Sequence, residues 1–415
     1  MKKMSFLGMF HLLLGANILL WLNAGTYQLI GDAIPAVVKF GLVAMWFALS
    51  ILRSNGFLSQ FAVVSYLLAL FYLICLMSKL AGIGGYFSQY SMNFLYILID
   101  MAILCYYYCY GTKTEIKILL IIYLLDMAVI AIRTFIMLQE APDLVRIMST
   151  SGEHKQAVFG ESLPKGIGAY GFCYELVLLQ PLLSYWFNKK NVSFVIKVLI
   201  YGVIMMFLFQ AQITLALVMY PVLLLISYTY GQKDRSFKAL TKLFLAIISI
   251  ALIISLPTIL SSLAESSEAH LSSRLDELHG LLTEQDSSGG DLQSRIVLYQ
   301  KSLDGFLGSP LWGSFGDRNY GSHSTLLDML AAYGLLGLIG YCGLLRPFNL
   351  VKRDMAEDKA AHSVMRTTLI ATILLSTFNV IIVSSEMMQA LLVIIPLAMQ
   401  YLTDRKEVNI ETGSN

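Results

Sequence analysis

Long apolar segments separated by short polar turns run through almost the whole chain of 415 residues. Each is about 20 residues long, the length that an α-helix needs to cross the hydrocarbon core of a bilayer. Twelve spans are predicted, over residues 5–22, 34–52, 57–78, 92–110, 118–138, 166–187, 194–210, 212–230, 242–262, 323–345, 367–385 and 388–402. The pattern therefore predicts an all-α polytopic membrane protein, with residues 1–415 forming a single integral membrane domain.

The basic residues of the short connections predict the orientation of these spans. Most of them fall on one side of the predicted topology, at Lys2, Lys3, Arg53, Lys113, Lys117, Lys189, Lys190, Lys233, Arg235, Lys238, Arg346, Lys352, Arg353, Lys359, Arg366, Arg405 and Lys406. Short loops rich in Lys and Arg stay in the cytoplasm. Both termini, including the tail 403–415, are therefore predicted to be cytoplasmic.

Two long loops fall on the opposite, extracytoplasmic side, over residues 139–165 and 263–322. The second connects predicted spans nine and ten and has its own helical periodicity. A first predicted helix carries Leu271, Leu275, Leu278 and Leu282, and a second begins near Asp291 with an apolar stripe of Leu292, Ile296, Tyr299 and Leu303. We therefore expect a large, partly helical outer loop.

Composition supports the membrane assignment and narrows the chemistry. The chain is 57% hydrophobic and 13% charged, with a net charge of +2, so nothing favours a nucleic-acid partner. The five cysteines all lie in apolar segments, as small buried side chains do, and have no zinc-type spacing. No histidine stands near His323 at a metal-ligand spacing, so no metal and no cofactor are predicted.

Four short motifs follow one another in and after the large loop: Ser294-Arg295, Pro310-Leu-Trp-Gly313, His323-Ser-Thr-Leu-Leu327 and Gly334-Leu-Leu-Gly337. In this order, and late in a many-span topology, they resemble the Wzy-type polysaccharide polymerase and O-antigen ligase superfamily. The motif match covers about residues 290–345. The resemblance implies a GT-C-like architecture and a metal-independent membrane glycosyltransferase at the bacterial plasma (inner) membrane.

The resemblance also implies the substrates. Such enzymes join oligosaccharide repeat units, with an undecaprenyl-diphosphate-linked donor and acceptor, on the outer face of the membrane, and release the polyprenyl diphosphate. Membrane lipids and, in the same pathway, a flippase and a chain-length regulator are the expected partners. The alternatives are a ligase-type glycan transferase and a flippase or transporter for lipid-linked oligosaccharide; a flippase has no need of an arginine- and histidine-bearing outer loop.

The catalytic candidate is His323, at the boundary between the loop and the tenth span. Histidine titrates near neutrality and suits the removal of a proton from an attacking sugar hydroxyl. The alternative is an interfacial polar residue at a helix start. The candidates for binding the diphosphate are Arg295, Arg318 and Arg274, because a guanidinium binds phosphate oxygens in a fork. Solvated positions on helix faces are their alternative interpretation.

Further candidates lie outside these motifs. Arg133, within the fifth span, is expected either to face the diphosphate from the floor of an outward cavity or to pair with Asp100. It is also the candidate to replace an arginine that many relatives carry where this chain reads Gln210-Ala-Gln-Ile-Thr214. Lys165 is a further phosphate ligand or a snorkelling lysine. Glu161 and Asp317 are sugar-binding candidates or solvated loop residues.

Overall fold

The computed structural model describes residues 5–23, 25–26, 29, 34–83, 85–141, 144–148, 164–228, 291–318, 320–321 and 323–403. Throughout these ranges the secondary structure is helical, without a β-strand. The helices are α1 Phe6–Leu22, α2 Ala36–Arg53, α3 Phe57–Leu80, α4 Gly85–Tyr110, α5 Lys113–Glu140, α6 Leu144–Ile147, α7 Tyr170–Lys189, α8 Phe194–Gln210, α9 Thr214–Tyr228, α10 Asp291–Gly308, α11 Thr325–Asp354, α12 Lys359–Phe378 and α13 Ser385–Leu402.

Helices coincide with eleven of the twelve predicted spans; the ninth, 242–262, lies outside the described residues. In the described part, six helices are long and apolar enough to cross a membrane: α2, α3, α4 from Tyr90, α5, α11 and α13. Shorter apolar helices are α1, α8 and α9, the last over Thr214–Ser227. The described part of the chain is therefore all-helical, with several helices of transmembrane length and composition.

Several helices begin directly after a polar residue that caps their N-terminus. Ser5, Ser193 and Asp358 each accept hydrogen bonds from the first-turn N–H groups of α1, α8 and α12. Thr112 and Glu115 form a reciprocal capping box at the start of α5. These caps satisfy donors that a helix N-terminus leaves without an intrahelical partner.

The centre of the bundle is α13, of which 83% is buried inside the protein, whereas α2 is 17% buried and faces outward. α13 lies against α4 and α7, and α11 lies between α3 and α12. α10, which belongs to the predicted outer loop, packs along α11.

Two observations refine the sequence-based interpretation. Of the apolar stripe predicted for α10, Ile296 and Leu303 are exposed and Tyr299 is half-buried. Ser302 is buried on the same helix and has a polar partner on α11, described below. Cys109 and Cys342 are exposed on outward helix faces, whereas Cys75, Cys105 and Cys173 are buried as expected.

Candidate functional site at the entrance of α11

The entrance of α11 is organised around Asp328, which is 2% exposed. Its carboxylate accepts hydrogen bonds from Ser302 Oγ at 2.6 Å and from the Ser324 backbone N–H at 3.2 Å. Ser302 Oγ in turn accepts the backbone N–H of Gly321 at 3.3 Å. A buried carboxylate requires such donors, because burial without them costs several kcal/mol. Asp328 thus ties α10 and the preceding loop to α11.

His323 lies one residue before the helix cap, half-buried. Its backbone hydrogen-bonds the Asp328 carboxylate, and the two side chains are close enough for their charges to interact. Ser324 Oγ caps the helix by accepting the Leu327 N–H at 3.0 Å. His323 is therefore held by a helix start rather than by a free loop, and a carboxylate that favours its protonated form lies beside it.

The α11 entrance is also attached to the end of α12. Ser324 Oγ donates to the Ser376 carbonyl at 3.2 Å, and the Thr325 N–H donates to the Asn379 carbonyl at 3.1 Å. Thr325 Oγ1 accepts the Ile381 N–H at 2.8 Å. These bonds occupy backbone groups at the turn between α12 and α13. The position of His323 is consequently determined by three helices.

Arg295 lies two turns before Ser302 on α10, and residues seven apart share a helix face. It is half-buried, and its charge acts on Tyr174 of α7. Nearby on the same helix, Tyr299 donates to the Phe378 carbonyl at 2.9 Å. Arg295 therefore lies where α10 crosses α7 and the α12–α13 turn.

Arg318 lies in a different place, a pocket of about 500 Å³ beside α10. Its lining residues are Lys301, Asp304, Gly305, Arg318 and Tyr320. Two cations, one carboxylate and one aromatic ring offer hydrogen bonds and a stacking surface of the kind that polyols and anions use. Lys301 and Asp304 point away from the Ser302 face of α10, so the pocket and Arg295 occupy different sides of that helix.

Arg133 and Lys165 come together, although they are 32 positions apart. Arg133 Nη2 donates to the Lys165 carbonyl at 2.9 Å, and the Gly168 N–H donates to Thr134 Oγ1 at 2.8 Å. The Arg133 side chain is exposed. It forms no ion pair with Asp100, which is buried in α4. The pairing alternative for Arg133 is thus wrong in this structure.

The remaining candidates divide simply. Asp317 is exposed, next to Arg318, at the edge of the loop. Glu161 and Arg274 lie outside the described residues. The structure thus groups His323 with the Arg295 face of α10, groups Arg318 with Asp317, and groups Arg133 with Lys165. The pocket beside α10 is lined by Arg318 but not by His323, Arg295, Arg133 or Lys165.

The two glycine-containing motifs are joined to each other. At Gly334 the backbone of α11 leaves the helical conformation, with φ 58° and ψ −136°. The carbonyls freed at Ala331 and Ala332 accept the N–H groups of Ser314 at 3.2 Å and Gly316 at 2.8 Å. The Leu335 N–H donates to the Pro310 carbonyl at 2.9 Å. The segment 309–316 therefore enters the break in α11 and completes its hydrogen bonds.

This junction also explains why glycine is present at the end of the Pro310–Gly313 motif and at the start of the Gly334–Gly337 motif. A Cβ on Gly334 would lie 2.4 Å from the Pro310 carbonyl oxygen, and one on Gly313 would lie 2.5 Å from that of Ala331. Both neighbours are backbone atoms, which cannot rotate away. Irregular backbone at membrane depth requires such internal partners.

Glu175, Glu386 and the half-buried Asp126 form a second polar region between helices. Glu175 of α7 accepts a hydrogen bond from Tyr123, and Asp126 accepts one from Thr26. Glu386, at the start of α13, accepts Ser384 Oγ at 3.2 Å and lies against Gly171, one turn from Glu175 on α7. The hydroxyls satisfy one oxygen of each carboxylate and hold the acids between helices.

Several of these residues were missed in the sequence. Asp328 and Ser302 are 26 positions apart, and nothing in their local patterns indicates that they meet. The Ser324–Asp328 spacing at a helix start was an available signal for a polar cap. Lys301, Asp304 and Tyr320 belong to a pocket that only the folded loop creates. Comparisons with known protein families and with curated proteins find no match to the chain.

Proposed function

We propose that the chain is a membrane glycosyltransferase of the polysaccharide polymerase type. It joins undecaprenyl-diphosphate-linked repeat units on the outer face of the bacterial plasma membrane and releases polyprenyl diphosphate. In this proposal the chain has twelve spans, with both termini in the cytoplasm. The observation that carries it is the run of four motifs between residues 294 and 337, of which two are joined by a direct backbone hydrogen bond, from Leu335 to Pro310.

In the proposed reaction, an acceptor sugar hydroxyl attacks the anomeric carbon of the donor. The new glycosidic C–O bond forms as the bond from that carbon to the diphosphate oxygen breaks. The proton of the hydroxyl passes to a ring nitrogen of His323, and the electron pair of the broken bond stays on the diphosphate. Arg295, on the face of α10 that carries Ser302, is the proposed counter-charge for that leaving group, and Arg318, in the pocket on the other side of α10, is proposed to bind a substrate diphosphate there. Arg133 of α5 and Lys165, whose carbonyl accepts a hydrogen bond from Arg133, are proposed as further phosphate ligands.

The hydrogen-bond network around Asp328 supports the role of His323. A base must be held at a fixed place relative to its substrate, and buried second-layer hydrogen bonds provide this. The Asp328 carboxylate stabilises the imidazolium that forms when the histidine accepts a proton. The half-buried position of Arg295 supports its role, because phosphate binding by a guanidinium is stronger where water is partly excluded.

The test is the replacement of His323 by Gln in cells whose own gene is deleted. Glutamine keeps a hydrogen-bonding side chain but cannot accept the proton at working pH. Loss of a general base costs about a hundred- to ten-thousand-fold in rate. We expect lipid-linked single repeats to accumulate, with normal amounts of the protein in the membrane. The matched control is His362→Gln on α12, which keeps wild-type polymer.

The same strain distinguishes the rival functions. Single-repeat chains after deletion support a polymerase, whereas finished polymer that remains lipid-linked indicates a ligase. Accumulation of the repeat unit on the cytoplasmic face indicates a flippase. A normal polymer ladder in His323→Gln would refute the role of His323 as the general base. Full activity in Arg295→Ala would refute the role of Arg295 in binding the diphosphate. Arg295→Lys keeps the charge without the fork, so its activity should lie well below wild type.

A further inference from the structure

A second pocket lies at the opposite end of α11 from His323, between α11 and α3. It has a volume of about 330 Å³, which is within the range of small-ligand sites. Its lining residues are Leu67, Cys342, Arg346, Asn349, Leu350 and Arg353. The five residues from α11 follow one helix face, since their spacings are four, three, one and three. The α11 side of the pocket carries the polar and basic residues Arg346, Asn349 and Arg353, and the α3 side contributes the apolar Leu67.

The polar side presents hydrogen-bond donors. Arg346 Nε donates to the Val63 carbonyl at 2.9 Å, and its guanidinium lies 4.6 Å from the centre of the Tyr66 ring. These contacts hold the guanidinium in place and use one of its five N–H groups. Asn349 Oδ1 accepts Lys352 Nζ at 2.9 Å, which leaves the Asn349 amide N–H₂ as a donor. None of the lining residues is an acid.

The acid nearest to Arg353 in the sequence binds a residue of another helix. Asp354 follows Arg353 directly, and its carboxylate accepts the Tyr108 hydroxyl of α4 at 3.2 Å. The pocket thus carries two guanidinium charges without a lining carboxylate. A ligand that offers only acceptor oxygens and a negative charge fits this lining, and phosphate is such a group.

The surroundings indicate that the phosphate belongs to a lipid. On α3, Val63 and Leu70 flank the pocket residue Leu67 and are exposed on the outer surface of the bundle. α11 has 30 residues, or about 45 Å of helix, against about 30 Å of hydrocarbon. The helix breaks at Gly334, and the part after the break places Arg346 about 18 Å and Arg353 about 29 Å further along its axis, so Arg353 reaches headgroup depth, with the long Arg346 side chain near it, when the break lies near the other boundary.

We propose that this pocket binds the headgroup of an anionic glycerophospholipid. Arg346 and Arg353 hold the phosphodiester oxygens, the Asn349 amide donates to the same group, and the acyl chains lie on the apolar surface of α3. Basic pockets between membrane helices bind anionic headgroups in this way. The site is independent of the glycosyl-transfer proposal, because it lies at the far end of α11 from His323.

The experiment measures the thermal unfolding midpoint of the detergent-purified full chain at increasing concentrations of phosphatidylglycerol, with phosphatidylcholine and inorganic phosphate as separate titrations. A ligand that binds only the folded state stabilises it by RT ln(1 + [L]/Kd), so the midpoint rises with ligand concentration and the concentration at which the rise begins reports the affinity. We expect phosphatidylglycerol to raise it at concentrations where the zwitterionic lipid does not. Each arginine near a bilayer surface strengthens anionic-lipid binding about five-fold, so Arg353→Gln weakens it about five-fold and the double variant with Arg346→Gln about 25-fold.

The control variant is Arg366→Gln, an exposed arginine of α12 outside the pocket, which keeps wild-type lipid dependence. Arg353→Gln leaves the Arg346 contacts to α3 intact, so it tests binding even if the double variant fails to fold. Equal responses to phosphatidylglycerol and phosphatidylcholine, or unchanged affinity in Arg353→Gln, overturn the proposal. Stabilisation by inorganic phosphate that matches the lipid also overturns it, since the site is then one for free phosphate.

Discussion

Replacing Gly334 by alanine tests the joint between the loop and the broken helix most directly. The backbone at this position has φ 58° and ψ −136°, a conformation that is accessible essentially to glycine alone. Forcing a side chain into such a region costs about 1–3 kcal/mol. The added methyl group would also lie 2.4–2.6 Å from backbone atoms of Pro310 and Leu311. Ordinary contact distance is about an ångström longer.

Relief of that contact requires the 309–316 segment to move away from α11. Three backbone hydrogen bonds cross the joint, at 2.8, 2.9 and 3.2 Å. Breaking one of them and leaving its buried partners unsatisfied costs about 1–3 kcal/mol. Together with the strain, Gly334→Ala should therefore lower the free energy of unfolding by roughly 2–6 kcal/mol.

The assay is reversible unfolding of the purified chain by a titration with sodium dodecyl sulfate in mixed micelles. Two control variants separate the causes. Gly202→Ala is in α8 with nothing within 4 Å of its Cβ, and should be neutral or more stable by up to about 1 kcal/mol. Gly82→Ala has a positive φ of 79° in equally open space, and reports the strain without the clash. If Gly334→Ala unfolds at the same SDS concentration as Gly202→Ala, the protein does not form the joint described between residues 309–316 and α11.

Asp328→Asn should lower the free energy of unfolding by about 1–3 kcal/mol, because the new amide N–H₂ faces the Ser302 and Ser324 donors that the carboxylate accepted. SDS titration measures this change. The control is Asp304→Asn at an exposed position, which should change the free energy of unfolding little. Arg318→Ala should reduce polymer in cells without lowering the amount of protein in the membrane, as surface glycan gels and membrane blots show; wild-type polymer removes its pocket from the site. In a background without native cysteines, a membrane-impermeant thiol reagent should label Lys301→Cys in intact cells and Arg366→Cys only after lysis. The reverse labelling overturns the topology.

Much of the fold follows from the hydrophobic pattern alone. Apolar periodicity and capping residues predict the helices, because a segment that must satisfy every backbone group inside a bilayer has few other choices. Span ends were less accurate: residues 367–385 were predicted as one span, whereas α12 ends at Phe378 and a turn at Ile381–Val383 precedes α13. Buried polar side chains satisfy the backbone there, such as Ser324, which donates to the Ser376 carbonyl, and Thr325, which accepts the Ile381 N–H; they give no signal in a hydropathy pattern.

The site was less predictable than the fold. Motif order indicated His323 and the two glycine motifs, but nothing local indicated that Pro310 meets Leu335 or that Ser302 meets Asp328. Such contacts depend on how a loop returns to its helix, which is a property of tertiary packing. The Asp100 pair, one of two alternatives for Arg133, does not form for a related reason. A long side chain near a helix end reaches whichever acceptor is closest, and here that acceptor is a backbone carbonyl.

The joint at Gly334 has a consequence for how such a protein can be recombined. The segment 309–316 supplies the missing hydrogen bonds of a helix that begins only at Thr325, so neither part is complete without the other. A hybrid that takes the outer loop from another protein but keeps its own α11 would combine a 309–316 segment with a helix break to which it is not complementary. The smallest exchangeable cassette therefore runs from before Ser309 to beyond Gly337, and its boundary falls inside the helix rather than at the edge of the membrane.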